Sequence, residues 1–137
     1  MQITPYLTFN GQCEAAFTFY AGCLGIPLEA LMRFSDAPDS EQMPPHNPEH
    51  IMHARLALGE QALMGSDTCA GQPYEGVRGC SVSLNVDSVA EAERLFSALG
   101  EGGSVQMPLQ QTFWAARFGM LVDRFGVPWM VNCEQDH

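Results

Sequence analysis

The sequence predicts an α+β fold built from two tandem β-α-β-β-β modules, and three observations carry that prediction. Sliding the chain along itself by 77 positions lays "LTFNGQCEAAFTF" (7 to 19) on "LNVDSVAEAERLF" (84 to 96), matching Leu7 with Leu84, Glu14 with Glu91, Ala15 with Ala92 and Phe19 with Phe96. Each half holds one helical pattern followed by strand-like runs rather than by a second helix. The segments without apolar periodicity, 35 to 50 and 66 to 79, fall between those runs, where loops belong. With 137 residues, 46 % of them apolar, the chain is large enough for one domain with a real core: module one at about 1 to 66, module two at about 79 to 134.

In the first half, the strand ending at Phe9 leads to Asn10 at the capping place. An amphipathic helix follows and closes at Leu24-Gly25, a helix-stop pair because glycine tolerates the left-handed turn. Three strand-like runs come next, "PLEALMRF" (27 to 34), "IMHARLAL" (51 to 58) and "QALMG" (61 to 65). In the second half, Asp87 takes the capping place and Leu99-Gly100 the helix stop. The runs "GSVQMPL" (103 to 109), "AARFGMLVD" (115 to 123) and "VPWMVNC" (127 to 133) complete the module. The short links Gly59-Glu60 and Arg124-Phe125-Gly126 suit hairpin turns.

Composition excludes several function classes. Six basic residues against sixteen acidic ones give a net charge of −10, which repels nucleic-acid phosphates and anionic lipid. No apolar run approaches the roughly 20 residues that span a bilayer, and the N-terminus lacks a signal-peptide pattern, so a cytoplasmic protein without membrane or nucleic-acid partners is expected. Five widely spaced cysteines with no C-x-x-C pair form neither a disulfide framework nor a zinc knuckle. Cys13, near a helix start, is the one candidate for a reactive thiol.

Strand alternation sorts side chains between a face under the helix and an open face. Val82, Leu84 and Val86 go under the second helix, leaving Ser81, Ser83 and Asn85 outside. By the repeat, Leu7 and Phe9 go under the first helix while Thr4, Tyr6 and Thr8 face out. Met52, Ala54, Leu56 and Leu58 form an apolar row, and Ile51, His53, Arg55 and Ala57 share the other face. In the last segment the row Ala116, Phe118, Met120 and Val122 is assigned to the helix. That assignment sends Arg117 to the open face with Arg55, a pair suited to an acidic ligand. "QTFW" (111 to 114) sits at a strand connection, where amide and aromatic side chains suit a partly apolar ligand.

"PYLTFNGQCEAAFTFYAGCLG" (5 to 25), "MHARLALGEQALMGSD" (52 to 67), "SVSLNVDSVAEAERLF" (81 to 96) and "QQTFWAARFGMLVDRFGVPWMVN" (110 to 132) resemble the vicinal oxygen chelate superfamily. That superfamily includes glyoxalase I, the bleomycin and fosfomycin resistance proteins and the extradiol dioxygenases. Within it the chain is similar to the PhnB-like branch. The resemblance implies incurved half-barrel sheets, often completed by dimerisation, so a homodimer is expected. It also implies a divalent ion held by His, Gln or Glu at one inward position on each of four strands. Those positions fall here on Thr4 (or Pro5), Met64, Ser81 and Met130, a set without a His or carboxylate, so no metal and no cofactor are expected.

A different ligand set is conceivable at "HNPEHIMH", where His46, Glu49, His50 and His53 lie within eight residues, but His50 and His53 point to opposite faces if both are in the strand. His137 is read as a terminal surface residue. Some members of the branch carry a methyltransferase label, which finds no Gly-rich strand-loop-helix motif here. Three functions follow as expectations. The first is binding of a small molecule, acidic ones included, in a cleft lined by Tyr6, His53, Arg55, Ser81, Ser83, Gln111, Trp114 and Arg117. The second is an isomerase, lyase or dioxygenase-type enzyme, metal-dependent or metal-free, in which His53 and Tyr6 are the candidate catalytic groups. The third is a structural homodimer with no ligand.

Overall fold

The computed structural model describes residues 1–37, 46–69 and 73–136. The chain divides into two compact units, Met1–Gly76 and Val77–His137. In the first unit the order is β1 (Tyr6–Phe9), α1 (Cys13–Leu24), β2 (Leu28–Arg33), β3 (Ile51–Leu58) and β4 (Gln61–Asp67). In the second it is β5 (Val82–Asn85), α2 (Val89–Gly100), β6 (Ser104–Gln110), β7 (Arg117–Val122) and β8 (Pro128–Cys133). The sheets run β1-β4-β3-β2 and β5-β8-β7-β6, the same topology twice, as the internal repeat predicts. In each, the first strand pairs parallel with the last and the remaining pairs are antiparallel.

Each helix covers one face of its own sheet. Under α1 lie Leu7, Phe9, Ala54, Leu56 and Leu63, with Phe17 and Tyr20 of the helix fully buried. Phe17 meets Phe9 edge-on, ring centroids 6.2 Å apart. Its ring fits because position 65 is glycine: a Cβ there would come within 2.7 Å of Phe17 and 2.8 Å of the Leu7 carbonyl. Under α2, Ala92, Val131 and Cys133 form a buried cluster with Phe96 and Leu109 packed against it. Gly119 does there what Gly65 does in the first unit, leaving room for Phe96.

Four details of the sequence reading change. The first helix starts from Gln12 without a side-chain cap, and the second is capped by Ser88, whose hydroxyl accepts from the Glu91 N–H at 3.1 Å. Asn10 and Asp87 therefore lie outside the cap positions. Gly25 is left-handed, φ 69°, but its true counterpart is Gly102, φ 76°, which is the residue 77 positions on; Gly100 is still helical. In β3, Ile51 rather than Met52 is buried, because the pairing with β2 shifts register between Met32 and Arg33. Leu58, past the reach of the helix, is 59 % exposed.

Two carboxylates are buried among the described residues, and both bind the backbone. Asp67, at the end of β4, accepts from Gly11 N–H (2.8 Å) and Cys13 N–H (3.0 Å) with Oδ1 and from Ile51 N–H (2.8 Å) with Oδ2. It thus caps α1 from another strand, fixes the β1–α1 turn and anchors the start of β3. Asp123 accepts from Phe125 N–H, Val127 N–H and the Trp129 indole N–H, which sets the β7–β8 turn.

Candidate functional site

Opposite α1, the open face of the first sheet carries Tyr6 of β1, Met64 of β4 and Arg55 of β3 side by side, since Tyr6 pairs with Met64 and Met64 with Arg55. His53, two residues along β3, joins them, its ring 6.4 Å from that of Tyr6. Met32 is its partner on β2. The Arg55 guanidinium reaches Glu29 at 3.4 Å, so its charge is already partly answered. Tyr6, His53 and Arg55 are thus brought together on one face.

On the open face of the second sheet, Ser83 pairs with Met130, and Asn85 with Asn132, whose amide donates to the Asn85 Oδ1 at 3.2 Å. Beyond them on β7 stand Phe118, paired with Asn132, and Met120, paired with Met130. Ser81 lies just ahead of β5, half-buried. Gln111 is exposed. The connection from β6 to β7 is folded by Thr112, whose hydroxyl accepts from the Ala115 N–H at 3.1 Å and whose own N–H donates to the Ala115 carbonyl. That turn displays Phe113, 97 % exposed, and Trp114, 48 % exposed. Trp114 meets Phe118 edge-on at 5.3 Å and Phe113 at 4.8 Å, an aromatic ladder running from the turn onto the open face.

Arg117 is not on that face. It pairs with buried Cys133 and belongs, with Gly119 and Leu121, to the row beneath α2. Its guanidinium lies 3.9 Å from Glu93 of that helix and donates to the Ala116 carbonyl at 2.7 Å. The expected row was therefore chosen with the wrong parity, and a one-residue change of parity exchanges the faces of a whole strand. Phe118 and Met120, assigned to the core by that choice, are the residues that reach the open face. Asn132 and Met107 were not singled out; Asn132 is legible only once β8 is registered against β5.

Ligation of a divalent ion at the superfamily's four positions finds no support in the residue types. Met64 and Met130 do stand on open faces, with Ser81 and Thr4 half-buried, but two thioethers and two hydroxyls do not suit a divalent ion that prefers imidazole and carboxylate. Among the described residues, no three His, Cys, Asp or Glu side chains converge on one point. The residues of "HNPEHIMH" are dispersed. His46 stacks on Phe34 at 4.6 Å, Glu49 lies 4.0 Å from Arg33, and the His50 ring packs beside Gly11. Cys13 is completely buried, and that burial, with the Asp67 and Glu14 carboxylates nearby, pushes its thiol up, the opposite of an activated nucleophile. His137 lies outside the described residues. No helix among the described residues is long and apolar enough to cross a membrane.

Two four-stranded mixed sheets, each covered by one helix and arranged β-α-β-β-β, define the α+β fold of the glyoxalase/bleomycin resistance proteins. A glyoxalase/bleomycin resistance protein from Albidiferax ferrireducens T118 shares it with a TM-score of 0.66 at 17 % identity, over 95 % of each chain. Within that class, residues 1–132 match the family model described as 3-demethylubiquinone-9 3-methyltransferase, and the chain belongs to this PhnB-like family. Protein YjdN of Escherichia coli (strain K12) is 34 % identical, over 96 % of this chain and 95 % of YjdN. The crystal structure of protein PA1353 from Pseudomonas aeruginosa is 62 % identical, covers 99 % of both chains and has a TM-score of 0.92. The PhnB protein from Bacillus cereus shares the fold at 24 % identity and a TM-score of 0.79, over 97 % of this chain and 99 % of its own.

Proposed function

We propose that the protein binds a small, partly apolar molecule on an open sheet face, without the divalent ion usual in the superfamily. The observation that carries this reading is the aromatic ladder of Phe113, Trp114 and Phe118. It holds large apolar rings in solvent beside the Asn85–Asn132 amide pair and Ser83, the mix of ring surface and a few polar groups that a small-molecule site uses. Tyr6, His53 and Arg55 supply a second polar group of the same kind on the first unit. The placement of Arg117 removes the two-arginine argument for an acidic ligand, and the Arg55–Glu29 pair weakens what is left of it. A neutral ligand fits better.

Methyl transfer, named in the family's description, would need a seat for a methyl donor. In the β1–α1 turn the Gly11 and Cys13 N–H groups are both held by Asp67 and so are not available to one. A second reading, acid–base catalysis by His53 with Tyr6 as charge stabiliser, is favoured by the nearness of their rings. The five free cysteines suit a cytoplasmic protein, and a two-fold dimer would cover part of the open faces.

A small-molecule library scored by thermal shift, then by Trp fluorescence, tests the proposal. Hits should weaken by about tenfold or more in Trp114→Ala, since aromatic anchors dominate such sites, and should be unchanged in Arg117→Ala. Hits that survive Trp114→Ala, or a metal requirement for binding, would overturn it.

A further inference from the structure

Three of the chain's eight methionines lie in one line across the second sheet. Met107 of β6 pairs directly with Met120 of β7, and Met120 pairs directly with Met130 of β8. Directly opposed residues share a face, and here it is the open face, the one that carries Phe118 and Ser83. Register irregularities on both sides of Met107 bring it into this line. All three are half-buried, so their thioethers are neither sealed in the core nor fully in solvent. Strand propensity does not explain the row, because the side chains favoured in strands are β-branched and aromatic. The positions facing α2 at the neighbouring level, Leu121, Trp129 and Val131, follow that ordinary preference.

From this geometry we infer a soft, monovalent-metal site formed by the thioethers of Met107, Met120 and Met130, suited to a cuprous-type d10 ion. The same chemistry that makes thioethers unsuited to divalent ions preferring imidazole and carboxylate makes them ligands for Cu(I). Dimensions agree. A trigonal site with bonds of roughly 2.3 Å to sulfur needs sulfurs about 4 Å apart. The outer strands stand about 9.5 Å apart, two strand spacings. Met107 and Met130 then lean inward by about 2.8 Å each, within reach of a side chain with three rotatable bonds. A net charge of −10 favours the approach of a cation. The site extends beyond the organic-ligand reading and does not depend on it.

The test uses the full chain with Cys69 and Cys80 changed to Ser, so that the two cysteines outside the buried set do not compete. The methionine ε-methyl groups carry 13C and Ag(I) is the redox-inert probe. One equivalent of Ag(I) should move the Met107, Met120 and Met130 methyl signals together and saturate at one ion per chain, while the Met32 signal stays in place. Met120→Leu keeps the volume and the fold and should weaken Ag(I) binding by about tenfold or more, as loss of a ligand does; Met32→Leu should leave it unchanged. Methyl signals that stay still, movement of a single methionine, or full affinity in Met120→Leu would each overturn the inference.

Discussion

Replacing Asp67 should be among the most damaging single changes to the first unit, and its cost follows from three hydrogen bonds. In Asp67→Ala, the Gly11, Cys13 and Ile51 N–H groups lose their acceptor. Gly11 is exposed and regains water, whereas the bonds from Cys13 and Ile51 are buried and leave orphaned donors. Each orphan costs about 1–3 kcal/mol, and α1 loses the negative charge at its N-terminus. The expected total is about 3–5 kcal/mol. Asp67→Asn separates the causes: its remaining oxygen can keep the Gly11 and Cys13 bonds while its amide nitrogen faces the Ile51 N–H, for a loss of about 1–3 kcal/mol. Urea unfolding followed by circular dichroism reads both. At a slope of about 2 kcal/mol per molar, the alanine midpoint should fall by about 2 M and the asparagine midpoint by about half as much. A fall below about 0.5 M in Asp67→Ala, or equal losses in the two variants, would refute the capping account.

Two further outcomes follow from the buried side chains. The Cys13 thiol is raised in the folded state from an ordinary value of 9.0, so only the unfolded chain releases this proton as pH climbs past 9.0. Stability should therefore decline above that pH by up to about 1.4 kcal/mol per unit from this group, and Cys13→Ala should flatten the decline in thermal melts between pH 8 and 10. An unchanged slope in the variant would contradict it. Gly65→Ala should cost about 1–3 kcal/mol by overpacking, because its Cβ would meet the Leu7 carbonyl as well as the Phe17 ring; equal midpoints for wild type and variant would show that the strands part freely.

The duplicated β-α-β-β-β order was legible because each element has its own period and each turn its own residues. Val82, Leu84 and Val86 alternate, the helix of the second half is marked by its apolar stripe, and Gly59 and Gly126 both adopt positive φ at the hairpin links. The candidate site was legible in part. Tyr6, His53 and Arg55 reach one face because β1 alternates and β3 alternates regularly from His53 onward, and the QTFW turn does display its aromatics. Arg117 was misplaced because the pattern of β7 is ambiguous: Phe118, Met120 and Val122 look as apolar as any core row, and only pairing with buried Cys133, Val131 and Trp129 selects the opposite row.

What the sequence by itself determined was local: which stretches turn, which alternate, and that the two halves repeat. Tertiary structure decided what depends on partners distant in the chain. Asp67 caps a helix 54 residues before it. Two bulges set Met107 beside Met120, and the faces of β7 are assigned by β8 and α2 rather than by its own residues. A strand's periodicity fixes which residues share a side, but the neighbour that covers one side decides which side is buried.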